Sequence, residues 1–316
     1  MDPRPGPQDL TDDDIADGWT DQLLFQMVAA LMPGARAVLR RITKLGGTAS
    51  YEDVQHHFAE HPTLPIPPTK IGGTLTSVKA VQRRTGPDGA GPLLQRDEQA
   101  RRYRIDDVLV AGLQRAFALA ELLMAECEDR DRRRAERRIR AAHFPREKSL
   151  REFDYSVNPN VDPAVVNNLA TCEWIAKDYP LCLIGDSGTG KSHLLIALGT
   201  TAAMAGYRVR YTTAAALVNE LVEAADDKRL GKTIGRYGRV DLLEIDELGY
   251  LELDRRGAEM LFQVLTEREE ESSIAIASNE AFTGWSRTFT DPRLCAAIVD
   301  RLTFNASKAL KSKAAG

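Results

Sequence analysis

The eight residues GDSGTGKS, Gly185 to Ser192, constrain this chain more than any other stretch. They match G-x-x-x-x-G-K-[ST] in full, follow the apolar run LCLIG (181–185) and open the helical pattern KSHLLIALGTTAAMA. A strand, a glycine-rich loop and a helix in that order make a phosphate-binding loop. Gly185, Gly188 and Gly190 let backbone amides converge on phosphate oxygens without Cβ obstruction. The helix starting near Lys191 points its positive end at the same anion. Lys191 is expected to reach the β- and γ-phosphates, and the Ser192 hydroxyl to coordinate Mg²⁺. Asp186, Ser187 and Thr189 within the loop, and His193 just past it, complete the expected nucleotide-binding stretch. The implied ligand is ATP with Mg²⁺. A glycine turn with an incidental lysine does not account for the strand and helix on either side.

The rest of the C-terminal half alternates apolar strands with helical stretches, which predicts a parallel sheet covered on both faces. The strands are YRVRYTT, VDLLEID and SIAIAS, separated by a helix from Ala214 to Ala225 and by RRGAEMLFQVLTEREEE. VDLLEIDELGY (240–250) carries three acids within four positions, Glu244, Asp246 and Glu247. Strand C-termini beside a phosphate loop face the ligand, so Asp246 is expected to hold the metal. Glu247 would polarise the attacking water as general base. The competing reading makes both of them helix-capping acids. Asn279 follows SIAIAS, where it either hydrogen-bonds the γ-phosphate or lytic water, or is a turn asparagine.

Residues 1–18 read as a disordered acidic tail. Residues 19–107 follow the order of a winged helix: short helices over ARAVLRRITK, SYEDVQHHF and 69–84, then a basic hairpin, LLQRDEQARRYRID. The third helix, with Lys70, Lys79, Arg83 and Arg84, would read a groove of DNA and the hairpin would be the wing. Small winged domains also dimerise or dock proteins, and the fold does not choose between these uses. Residues 108–142 form one long connecting helix, apolar at first and intensely basic at 130–140. Its arginines are either a solvated face or contacts to nucleic-acid phosphates, and their clustering favours the second. Residues 143–316 are the nucleotide-binding domain.

The formal net charge of −4 over 316 residues argues against a uniformly basic nucleic-acid binder but leaves local basic patches open. Cys127, Cys172, Cys182 and Cys295 are scattered without metal-ligand spacing, as in a protein with reduced thiols. The acidic, Pro-rich start is not a targeting peptide, and no apolar run is expected to reach membrane-spanning length. A cytoplasmic protein with no membrane partner is the expectation.

Several stretches together resemble a known family: HFPREKSLREFDYS (143–156), GDSGTGKSHLLIALG, YTTAAALVNEL, LLEIDELGY and SNEAFTGWSRTFTDPRLCAAIVDRL. They are similar to the IstB/DnaC-type AAA+ ATPases, transposition helpers of insertion sequences and related helicase loaders, over about Ala118 to Phe304. The resemblance implies an α/β AAA+ fold with a parallel sheet in the order 5-1-4-3-2. It implies a homo-oligomer that assembles on duplex DNA with ATP bound and switches a transposase or a replicative helicase, the transposition helper being favoured. Lys191 and Ser192 then stand as Walker A residues, Asp246 and Glu247 as Walker B, and Asn279 as sensor 1. Arg301 falls where the family has an arginine finger acting on a neighbour's site, with Arg293 as a second candidate. The segment around Phe144, Pro145 and Phe153 resembles a linker that packs near the nucleotide base.

Three features depart from the family pattern. FNASKALKSKAAG follows DRL where relatives carry a further arginine, which leaves sensor 2 unassigned. The winged-helix-like region is additional. Glu244 occupies a position that is aliphatic in relatives. It shares a strand face with Asp246, about 6.6 Å back, too far for a first-shell metal contact. The family's sheet order puts YRVRYTT beside it, and a buried carboxylate needs a partner. A cross-strand pair with Arg210, or else Arg208, is therefore expected. ATP hydrolysis stimulated by duplex DNA is the leading expectation, against an ATP-bound DNA switch with little turnover or a helicase loader.

Overall fold

Separate apolar cores divide the chain into two units, and the division falls after Arg130. The computed structural model describes residues 13–61, 63–250, 252–268, 271–289, 291–303 and 310–312.

The first unit is built from α1 (Asp21–Ala30), α2 (Pro33–Lys44), β1 (Thr48–Ser50), α3 (Tyr51–Ala59), α4 (Pro68–Thr85), β2 (Leu94–Asp97), β3 (Arg102–Ile105) and the start of α5 (Asp107–Ala142). Its helix starts are chemically marked. Thr20 Oγ1 accepts the Leu23 amide, Pro33 stands at the first turn of α2, and Ser50 Oγ accepts the Asp53 amide. Ile71, Leu75, Val78 and Val81 lie one helical turn apart along α4 and are buried together. In β3 the pleat buries Tyr103 and Ile105 and exposes Arg102 and Arg104. The strands pair antiparallel in the order β1-β3-β2. Strand β1, only three residues long, has no periodic signal and is an addition to the expected plan.

Two expectations for this region need correcting. Residues 13–18, assigned to a disordered tail, turn back on themselves: Ile15 N–H donates to the Trp19 carbonyl, and Trp19 is buried in the core. Residues 1–12 lie outside the described residues. The long helix is not a separate connector either. Leu109, Leu113, Ala116, Phe117 and Ala120 of α5 belong to the first core, and Arg115 grips the buried Asp21 through two hydrogen bonds of 2.7 and 2.9 Å. An 18-residue window of α5, with mean hydropathy 1.6, is long and apolar enough to cross a membrane by length and composition, contrary to the expectation. Leu109, Leu113, Ala116, Phe117 and Ala120 account for part of that apolar character as members of the first core, whereas Leu122, Leu123 and Met124 are exposed.

The second unit takes the end of α5, then α6 (Pro163–Leu169), α7 (Glu173–Ala176), β4 (Leu181–Gly185), α8 (Lys191–Ala205), β5 (Val209–Thr213), α9 (Ala214–Asp226) and α10 (Leu230–Gly238). It continues through β6 (Leu242–Leu248), α11 (Arg255–Glu267), β7 (Ser273–Ser278), α12 (Trp285–Thr288), α13 (Pro292–Thr303) and β8 (Leu310–Ser312). All five strands are parallel, in the order β5-β6-β7-β4-β8, which counted within this unit reads 2-3-4-1-5. Each face of the sheet has its own apolar cluster. Leu243, Ile245, Ile274 and Ile276 face α9, α11 and α13, whereas Leu181, Leu183, Leu242 and Ala275 face α8. Helix α8 is buried on nearly all sides, as its continuous apolar sequence requires.

The register overturns the proposed Glu244–Arg210 pair. In a parallel ladder, paired residues share a face, and Glu244 pairs with Tyr211 while Arg210 pairs with Leu243. Arg210 therefore projects to the opposite side of the sheet. Arg208 is spent at the start of the strand, where its guanidinium meets Asp241 at 2.5 Å. Glu244 is fully buried, and neither carboxyl oxygen has a hydrogen-bond partner among the described residues. Burial, and then the charge of Asp246, pushes its pKa well above the usual carboxylate range and favours the neutral acid. Room for it comes from Gly199 in α8, where a Cβ would stand 2.5 Å from Glu244 Oε2.

Candidate functional site

The phosphate loop joins β4 to α8. Gly188 and Gly190 take left-handed backbone, at φ +81° and +79°. Lys191 Nζ donates to the Asp186 carbonyl at 2.7 Å, and partial burial lowers its pKa. Strand β7 lies between β4 and β6, so the loop is faced first by Asn279, at the end of β7, and then by Asp246 and Glu247.

Asp246 is buried and held at both oxygens. Tyr211 Oη donates to Oδ2 and the Glu247 amide to Oδ1, each at 2.8 Å. Burial, followed by the Asp246 hydrogen bond, raises the Tyr211 phenol pKa, so it remains a donor. Glu247 is expected to have left the strand. Instead it remains in β6 at a bulge, where the ladder shifts between Ile245 and Leu248. Its φ of +60° is left-handed, a conformation that costs a non-glycine residue about 1–3 kcal/mol. The bulge turns its side chain out of the sheet, and Glu247 is exposed where Asp246 is buried. Gly249, at φ +106°, lets the following turn approach Asn279, because a Cβ there would lie 2.9 Å from Asn279 Oδ1. That oxygen is buried and has no hydrogen-bond partner among the described residues.

These residues share one cavity of about 360 Å³. Ser187 to His193, Asp246, Glu247 and Asn279 all line it. Gly185 and Asp186, at the start of the loop, do not line it. Arg301 lies elsewhere, its guanidinium 4.3 Å from the centre of the Phe262 ring on α11. Arg293, the second finger candidate, is exposed at the start of α13, where its amide donates to Asp291.

Sequence reasoning missed four lining or supporting residues. Tyr250 Oη meets Ser187 Oγ at 2.7 Å, closing the turn after β6 onto the phosphate loop. The Asn158 amide donates to the Thr189 carbonyl. Arg146 and Lys148 line the cavity from the segment before β4. Phe153, read as packing near the base, lies over Gly190, where a Cβ would meet its ring at 2.7 Å. No spacing rule points to these residues, because they reach the loop from distant parts of the chain.

The donor set suits Mg²⁺, a hard ion that takes one or two protein oxygens together with phosphate oxygens and water. Ser192 and the carboxylate of Asp246 supply such oxygens on the same cavity. A phosphate loop opposed by paired acids two strands away is the working part of a P-loop nucleotide-binding protein, here on a parallel α/β core. The family of IstB-like ATP-binding proteins matches residues 112–313, and the chain belongs to that family.

Relatives agree with that membership. A Pseudomonas aeruginosa protein named as an ATP-binding protein of insertion sequence IS21 is 33% identical over 204 residues, 63% of this chain and 77% of its own length. One from Geobacillus stearothermophilus, named for insertion sequence IS5376, is 35% identical over 184 residues, 58% of this chain and 73% of its own. Among solved structures, DnaI aligns with a TM-score of 0.46 at 19% identity, over 54% of this chain and 95% of that one.

Proposed function

We propose that this chain is a Mg²⁺-dependent ATPase that assembles on duplex DNA and positions or activates a transposase. The observation that carries the enzymatic part is the single cavity shared by Lys191, Ser192, Asp246, Glu247 and Asn279. Lys191 leaves the Asp186 carbonyl to neutralise charge on the β- and γ-phosphates. Ser192 and Asp246 hold Mg²⁺, which when bound shields the phosphates and orients the γ-phosphoryl group. Glu247, its side chain exposed at the bulge of β6, accepts the proton of the attacking water. Asn279 Oδ1, without a partner among the described residues, accepts a hydrogen bond from that water.

Support for a DNA partner comes from the exposed arginines of α5 and from family membership. In the first unit, the helix–strand–helix–helix–hairpin order and the antiparallel β1-β3-β2 sheet support a winged-helix reading, with α4 and the hairpin presenting its cations. Arg301 is read as a finger that completes the site of a neighbouring copy, so turnover requires assembly.

The test measures ATP hydrolysis with Mg²⁺, with and without duplex DNA. Duplex is expected to stimulate hydrolysis by the wild-type chain, and Lys191→Ala and Arg301→Ala are each expected to be inactive alone. Mixing those two variants should restore part of the rate, since an intact loop then meets an intact finger. Hydrolysis no greater than that of Lys191→Ala would sink the ATPase reading in favour of an ATP-bound switch. Capture of a replicative helicase by Glu247→Gln, in place of a transposase, would replace the transposition role with helicase loading.

A further inference from the structure

We propose that Arg146 and Lys148 bind the polyphosphate of ATP in cis, as a second cationic arm of the site. The inference rests on the nucleotide reading above and extends it to a segment that the phosphate-loop and acid motifs do not include.

Both side chains line the cavity that holds Lys191, Asp246 and Glu247. Neither makes a hydrogen bond or an ion pair among the described residues. By contrast, Arg208 pairs with Asp241, Arg236 with Glu220 and Arg256 with Asp226. Two unengaged cations on the wall of a cavity floored by backbone amides form an anion-binding arrangement.

The segment bearing them is fastened to the loop. His193 Nε2 and the Ser149 carbonyl are 2.9 Å apart, one residue beyond Lys148. Ser149 and Glu152 close a capping box on the short 3₁₀ turn Leu150–Glu152. Phe153 then covers Gly190 and packs edge-on to His193, with ring centres 5.5 Å apart. The Asn158 side chain ends the contact at the Thr189 carbonyl. A backbone fixed at these points holds Arg146 and Lys148 beside the phosphates at little ordering cost on binding.

Charge balance asks for them as well. The cavity wall carries Asp246 and Glu247, and ATP brings further negative charge. Lys191 alone would leave that site strongly anionic, whereas two further cations and a metal ion offset most of that charge. Because the attraction grows with ligand charge, the two residues favour ATP over ADP, and ADP over adenosine.

The experiment measures affinity of the full chain for Mg·ATP, Mg·ADP and adenosine by calorimetry. The variants are Arg146→Gln, Lys148→Gln and the double variant, with Arg146→Lys as the charge-conserving control. Each neutralisation is expected to weaken ATP about tenfold, the loss of one charge-assisted contact, and to weaken ADP less. Adenosine binding and the unfolding midpoint without nucleotide should not change, and Arg146→Lys should keep most of the affinity. Unchanged ATP affinity in the double variant overturns the proposal. So does an equal loss for all three ligands, which would mean that the segment had merely lost its packing. A wild-type chain that bound no ATP would overturn the nucleotide reading and this one together.

Discussion

Glu244 shows how a charged letter in a buried strand can be accommodated without an opposite charge. Its carboxyl, pushed by burial toward the neutral form, has no hydrogen-bond partner among the described residues and fills the space left by Gly199. Such a group costs about 1–3 kcal/mol relative to an apolar side chain of similar shape. Glu244→Leu is therefore expected to stabilise the second unit by about that amount, measured by urea unfolding. Gly199→Ala should destabilise by about 1–3 kcal/mol, because the new methyl enters the carboxyl oxygens. Much of that loss should vanish in a Glu244→Val background, giving a coupling of more than about 0.5 kcal/mol in the double-mutant cycle. Additive effects would mean that the two residues do not share the space.

At the scale of elements, the arginine run of α5 separates into different jobs. Arg138 donates to the Ala203 carbonyl at 2.8 Å, near the C-terminal end of α8, while Arg137 is exposed and donates to the Arg133 carbonyl within α5. If the exposed arginines contact phosphates, the triple replacement of Arg132, Arg133 and Arg137 by Gln lowers the slope of log affinity against log salt by about 2–3. Arg138→Gln should leave that slope alone and lower stability by about 1 kcal/mol, the worth of one hydrogen bond. An unchanged slope in the triple variant returns those residues to a solvated face. Such division of labour is hidden in the sequence, where all seven arginines of 130–140 look alike. What could be read there has strong local causes. Helix α5, the phosphate loop and strands β4, β6 and β7 announce themselves through apolar runs, periodicity and glycine spacing. Strand β1 and helix α10 do not, since the first is too short for a period and the second is rich in glycine and basic residues. The Glu244 pairing failed because a charge count ignores the parity of a parallel ladder. Contacts such as Tyr211 with Asp246 and Tyr250 with Ser187 depend on how strands line up, which no single stretch encodes.

For the whole molecule, the separate cores predict two unfolding transitions rather than one. Mg·ATP should raise the midpoint of the transition belonging to residues 131–316 and leave that of the first unit in place, because a ligand stabilises the fold that binds it. A single transition shifted as a whole would show the units to be thermodynamically one. The closing of Phe153 over Gly190 bears on how this protein could be taken apart or borrowed. Its nucleotide module does not begin at the first strand of the sheet, where a motif search would start it. It begins in the last turns of a helix some forty residues earlier, so a graft cut at β4 would carry the signature and leave behind the parts that keep the loop in shape.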